Sequence, residues 1–195
     1  MANSSRKGSK NERDIAKQLS LWWSHGENPN IFWRTAGSGG RATKVKQPIG
    51  HSYGDIGLID PIGEPLLRMT TFEVKKGYSK TIDIMSLIDT KSQKNEFSKF
   101  WEQACKSAEQ ADKAGWGKEP MLITQRHHKL QLITIDWFFF LELVDLCGHL
   151  NSDEMPTMSI GFNDYKLQIM RLSDFFEWCS PDVFIRMYNE KQGRF

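Results

Sequence analysis

Two charged side chains, Glu73 and Lys75, flank a single valine in the stretch TFEVKKG. On a strand alternate side chains share a face, so Glu73 and Lys75 point together, away from Phe72 and Val74. Taken alone, such a pair is usually a weak ion pair on a half-solvated edge strand. Two further acids give it more to work with. Glu12 lies three residues before Ile15 in NERDIAKQL, on the helix face that should pack inward. Asp55 follows Gly54 at the end of a glycine-rich loop and opens DIGLID. Clustered carboxylates repel one another unless a cation lies between them, and hard oxygen ligands suit Mg²⁺ or Mn²⁺. A lysine beside such a cation can orient a water or stabilise charge on a phosphate under attack.

The elements that must position these four residues are legible in outline. Ser9 and Glu12 have the spacing of a capping box, and Ile15, Ala16, Leu19, Trp22 and Trp23 recur as one helix face. That helix should stop near His25-Gly26. A short strand, IFWRT, leads into the polar, glycine-rich loop AGSGGRATKVKQPIGHSYG, a length that marks a functional or disordered segment. DIGLID and LLRMTTFEVKK should then pair as a hairpin around the turn PIGEP, bringing Asp55 beside Glu73, with the first helix laying Glu12 across them. Phe97, Phe100, Trp101, Ala104 and Ala108 predict a helix ending at Gly115. MLITQR and LQLITI predict a hairpin around His127-His128-Lys129, where both histidines read as turn residues, and Asp136 caps the helix WFFFLELVDLC. The expected class is α/β, a mixed central β-sheet flanked by helices. Residues 1–135 form its core, and 136–195 a β-hairpin and helix elaboration packed on the same domain. KLQLITIDWFFFLEL and KLQIMRLSDFFEWC both read as strand, polar cap and aromatic helix, a small duplication or a chance likeness.

At 195 residues and 39% hydrophobic the chain can bury a full core. No apolar run reaches the length of a membrane span, and the N-terminus lacks the apolar centre of a signal peptide. The expectation is a protein that stays in the cytoplasm, where it is made. Three separated cysteines fit a reducing compartment, and none has the spacing of a zinc finger. The net charge of +2 excludes little, but its distribution is uneven. Residues 1–50 hold nine Lys/Arg against three Asp/Glu, whereas residues 136–181 hold two against eight. A basic end of this kind, with Arg6, Lys7, Arg34, Arg41, Lys44 and Lys46, suits a polyanion, although each arginine and lysine also has a plain reading as solvated surface.

RKGSKNERDIAKQL, FWRTAGSGGR, GDIGLID and FEVKKG, in that order, resemble the PD-(D/E)xK nuclease superfamily, and within it the archaeal Holliday-junction resolvases. The resemblance spans residues 6–125. It implies a restriction-endonuclease-like core and a metal-dependent DNA endonuclease acting on four-way junctions as a homodimer, with 5′-phosphate products. It implies that Asp55, Glu73 and the Val74 carbonyl hold Mg²⁺, with Mn²⁺ able to substitute. Lys75 would hold the attacking water, and Glu12 would support a metal directly or through water. Ser38 matches a serine near the scissile phosphate. Gly54 stands where the family usually has proline, and is expected to permit the same extended entry. Two rivals remain: another nuclease of the superfamily acting in restriction, repair or phage DNA processing, and a non-enzymatic DNA-binding or assembly protein on the same fold. Clustered carboxylates disfavour the second, since a scaffold has no need of them.

Overall fold

A computed structural model of the chain describes residues 4–35, 53–77, 84–89, 95–151 and 153–193, with the backbone alone for residues 4–7 and 86. Helix α1 (Ser4–Trp23) buries Ile15, Ala16, Leu19 and Trp23, the stripe expected from a 3.6-residue period. It ends as foreseen. His25 takes φ 53°, the Gly26 amide donates to the Leu21 carbonyl at 2.7 Å, and the His25 amide to Trp22 at 3.2 Å, a Schellman closure. Its start differs from expectation: Ser9 lies inside the helix, so Glu12 is not a capping-box residue. The Ser-x-x-Glu spacing is short-range and fits a helix interior as well as a helix start.

Ser20 fastens the next strand to this helix. Its hydroxyl donates to the Ala16 carbonyl at 2.8 Å and accepts from the amides of Ile31 and Phe32 at 3.1 and 2.9 Å. Strand β1 (Phe32–Arg34) then pairs antiparallel with β2 (Ile56–Leu58), Arg34 opposite Ile56.

The expected hairpin between β2 and the E-x-K strand does not form. After a turn in which the Asp60 carboxylate accepts from the Ile62 amide, Glu64–Met69 is helix α2, and only Thr70–Lys76 is strand β3. Pro65 in the first helical turn and the Glu64–Arg68 pair at 2.9 Å favour helix, and the helix buries both Leu66 and Leu67.

The chain continues through α3 (Ser86–Asp89) and α4 (Glu96–Lys113), whose first turn is capped by the Asn95 side chain on the Phe97 amide at 2.7 Å. Strands β4 (Glu119–Gln125) and β5 (Gln131–Asp136) make the expected hairpin. Asp136 caps α5 (Trp137–Cys147), accepting from the Phe138 amide at 2.8 Å. A second hairpin, β6 (Thr157–Phe162) and β7 (Tyr165–Arg171), leads into α6 (Leu172–Trp178) and α7 (Pro181–Lys191). The likeness between the two strand-helix stretches is looser than their sequences suggest, because α6 starts at Leu172 with Arg171 at its cap and no side chain capping it.

The five-stranded sheet runs β3-β4-β5-β7-β6, with β3 and β4 parallel and the other neighbours antiparallel. Period-2 alternation sends Phe72, Val74, Met121, Ile123, Ile133, Ile135 and Met170 into a core with α1, α2, α5, α6 and α7. Leu122, Leu167 and Ile169 face the other way, onto Phe97, Phe100, Trp101 and Ala104 of α4. The class is the α/β one expected: a mixed central sheet flanked by helices, with a restriction-endonuclease-like core. No helix among the described residues is long and apolar enough to cross a membrane.

Candidate active site

Strand β3 is an edge strand, but the face carrying Glu73 is not left to solvent. Helix α4 lies over it, and Glu73 is only 2% exposed. Its Oε1 accepts a hydrogen bond from Gln103 Nε2 at 2.6 Å and meets the Lys75 ammonium. Lys75 Nζ also lies 5.5 Å from the centre of the Phe100 ring on the same helix. The usual reading of an isolated E-x-K as a weak surface pair therefore fails here: the pair is enclosed, and α4 holds both partners.

Asp55 reaches this strand from its outer edge. Gly54 has φ 69°, and a Cβ there would run into the Phe72 carbonyl oxygen and lie 2.9 Å from Thr71 Cγ2. The entry is thus left-handed, not the extended one expected, and proline, locked near φ −65°, could not take it. The close approach lets the Asp55 amide donate to the Phe72 carbonyl at 2.7 Å. One pleat further on, Asp55 Oδ2 accepts from the Val74 amide at 2.8 Å. Thr35 steadies the other side, its amide donating to the Asp55 carbonyl at 3.0 Å and its hydroxyl to Gly54 at 2.7 Å. In an extended strand the N–H and C=O of one residue project to the same edge. The Val74 carbonyl therefore faces the side from which Asp55 arrives.

Asp55 and Glu73 are both buried, with one ammonium beside them. Burial, and then the Glu73 charge, push the Asp55 carboxyl up to about 6 from 3.8, against the opposing effects of the Val74 amide and Lys75. Two carboxylates and a strand carbonyl form an all-oxygen donor set, and a carboxylate that is costly to ionise unaided is one that a divalent cation would relieve. The residues present fit Mg²⁺ or Mn²⁺.

The raised pKa has a consequence for stability. A proton is held more tightly by folded than by unfolded protein, so the favourable contribution is full below about pH 4 and lost as pH rises through 6. In metal-free protein at pH 7.5, Asp55→Asn should therefore be more stable than wild type by on the order of 3 kcal/mol. That gap should close as the pH falls towards 4. Thermal unfolding in EDTA across pH 4–8 checks this, and a gap independent of pH would contradict it.

Glu12 is buried on α1, but its partner is Arg34 of β1, with Nε 3.1 Å from Glu12 Oε2. Among the described residues, no three His, Cys, Asp or Glu side chains gather to hold a metal. The structure thus brings Asp55, Glu73, Val74 and Lys75 together and leaves Glu12 with the arginine. Ser38, Arg41, Lys44 and Lys46 lie outside the described residues. Arg6 and Lys7 fall on the first turns of α1, and their side chains are not described. Gln103 escaped the sequence reading. It occupies a solvent-facing helix position, and the only hint was its place beside Phe100 and Ala104 on the buried stripe.

A protein-family model described as phage putative PDDEXK endonuclease matches residues 3–185. No curated protein and no solved structure matches the chain. The family match bears out the superfamily expected from the E-x-K and strand acid. It extends past residue 125, where the likeness to resolvases stopped, through α6 and into α7. Its description names no junction-resolving activity.

Proposed function

The chain belongs to the phage putative PDDEXK endonuclease family, and from that premise we propose that it is a metal-dependent endodeoxyribonuclease that cuts branched DNA, the four-way junction above all. The observation that carries the proposal is the attachment of Asp55 across the β3 edge, which sets a second buried carboxylate beside the Glu73–Lys75 pair. The preference for junctions rests on the four sequence blocks between residues 6 and 125.

Asp55, Glu73 and the Val74 carbonyl would hold Mg²⁺, with Mn²⁺ able to replace it. When bound, the ion supplies Lewis-acid stabilisation of charge on the phosphate and makes water more acidic. The remaining work belongs to the chain's own residues. Lys75 holds the attacking water in line with the leaving 3′ oxygen, so that the product carries a 5′-phosphate. Gln103 and Phe100 keep Glu73 and Lys75 from swinging away, which preserves the attack geometry. Glu12 orients the Arg34 guanidinium towards the phosphate backbone, where it positions DNA without reading bases. Cutting two symmetric strands of a junction calls for a homodimer, and the place of work is the cytoplasm of a phage-infected cell.

The test is a cleavage panel of four-way junction, flap and linear duplex with Mg²⁺, Mn²⁺, Ca²⁺ or EDTA. The junction should be cut fastest with Mg²⁺ or Mn²⁺. Ca²⁺ should support binding without cutting, because it tolerates looser geometry and activates water poorly. Cleavage persisting in excess EDTA, or no cutting of any DNA with either active metal, would overturn the reading. Equal rates on all three substrates would remove the junction preference alone.

A further inference from the structure

Because β3 and β4 are parallel, their C-terminal ends lie side by side. Lys75 is opposite Thr124, Lys76 opposite Gln125, and the Gly77 amide donates to the Gln125 carbonyl at 2.9 Å. The turn into β5 therefore emerges next to the end of the strand that carries Lys75. Its residues are Arg126, His127, His128 and Lys129, all exposed, as is Lys76. Strand rise and spacing put the backbone of Arg126 within roughly 10 Å of that of Lys75.

The turn is built rather than loose. The Lys129 amide donates to the Arg126 carbonyl at 3.1 Å, Gln125 Nε2 donates to the Lys129 carbonyl at 3.1 Å, and the two imidazole rings lie 3.9 Å apart. His128 takes φ 56°, a conformation that hairpin turns normally assign to Gly, Asn or Asp. The β6–β7 turn obeys that rule, with Asn163 at φ 49°. Among the described residues, no ion pair involves Lys76, Arg126 or Lys129. Arg171, at the same end of the sheet, is by contrast 3.9 Å from Asp174.

We propose that the Arg126–Lys129 turn, together with Lys76, is a contact surface for the DNA phosphate backbone next to the cleavage site. It holds the strand by charge, without reading sequence. The inference rests on the nuclease reading and adds a surface remote in sequence from the basic first fifty residues.

Binding of a labelled four-way junction and a duplex is measured by fluorescence anisotropy in Ca²⁺ across a KCl series. Wild type is compared with Arg126→Ala/Lys129→Ala, and with Lys106→Ala/Lys113→Ala on the exposed side of α4. Two lost phosphate contacts should lower the slope of log affinity against log salt by about 1.8 and weaken binding similarly for all sequences. The charge-reversed Arg126→Glu/Lys129→Glu should bind more weakly still, and the α4 control should match wild type. Melting temperatures should stay within a degree or two of wild type, since every altered side chain is exposed. A wild-type slope and affinity in the turn variants would overturn the proposal while leaving the nuclease reading intact. A wild-type protein that binds neither DNA would overturn both.

Discussion

Glu73→Gln should lose cleavage by at least about a hundredfold while its fold and melting temperature hold or rise. The substitution keeps the shape of the side chain and one carbonyl oxygen, enough to accept from Gln103 as Glu73 does at 2.6 Å. What it removes is charge. Glu73 is 2% exposed beside an Asp55 whose carboxyl is already pushed up to about 6, so losing that charge relieves repulsion in metal-free protein, and the Lys75 ammonium it leaves still has the Asp55 carboxylate near it. A structural glutamate would show the opposite pattern, with stability and activity falling together. Asp55→Asn and Lys75→Ala should lose activity on the same scale, the first because it removes a hard ligand, the second because the attacking water is no longer held. The three losses should not add, since the groups act as one unit. Single-turnover cleavage with matched circular dichroism decides the matter. Near-normal turnover by a folded Glu73→Gln protein would sink the site assignment.

Gly54→Ala should damage both stability and activity, although it touches no charged group. The residue sits at φ 69°, where a Cβ costs about 1–2 kcal/mol by itself. That Cβ would also strike the Phe72 carbonyl oxygen, and Phe72 is fully buried in the main core, so β3 cannot retreat. The β2 side must move instead. Moving it breaks the Asp55 amide to Phe72 bond and draws the Asp55 carboxylate off the Val74 amide. A destabilisation of at least about 2 kcal/mol is expected. Cleavage should fall about tenfold or more even at full folding, because the misplaced carboxylate loses attack geometry. Gly54→Pro should be worse. Urea unfolding with cleavage assayed well below the midpoint separates the two effects. Wild-type values for both would show that the left-handed entry does not position Asp55.

The residues that could do chemistry were legible from their own neighbourhood. Glu73 and Lys75 share a face because strands alternate. Asp55 stands out because it ends a glycine-rich loop, and the stripe from Ile15 to Trp23, the β4–β5 hairpin and the Asp136 cap are all short-range patterns. Where two local signals conflicted, the window misled. LLRM fits a strand or a helix, and Pro65 with the Glu64–Arg68 pair settled it as α2, removing the expected β2–β3 hairpin. Ser9 and Glu12 matched a cap that the longer helix overran. Gly54 was read as extended, and only its approach to Phe72 reveals the left-handed turn.

Contacts between distant elements were beyond any local period. Gln103 reaches Glu73 from thirty residues away and from a helix position that reads as surface, with only its place beside Phe100 and Ala104 to hint at it. Arg34 became the partner of Glu12 because Ser20 ties β1 to α1, a bond made by tertiary folding alone. The Arg126–Lys129 turn lies beside Lys75 because β3 and β4 are parallel, and parallel pairing depends on how the intervening helix packs across the sheet. Sequence by itself determined which side chains were available and which face each would take on its own element. Which of them meet was decided by burial of the whole core, since the helices and strands join wherever their apolar faces are best covered.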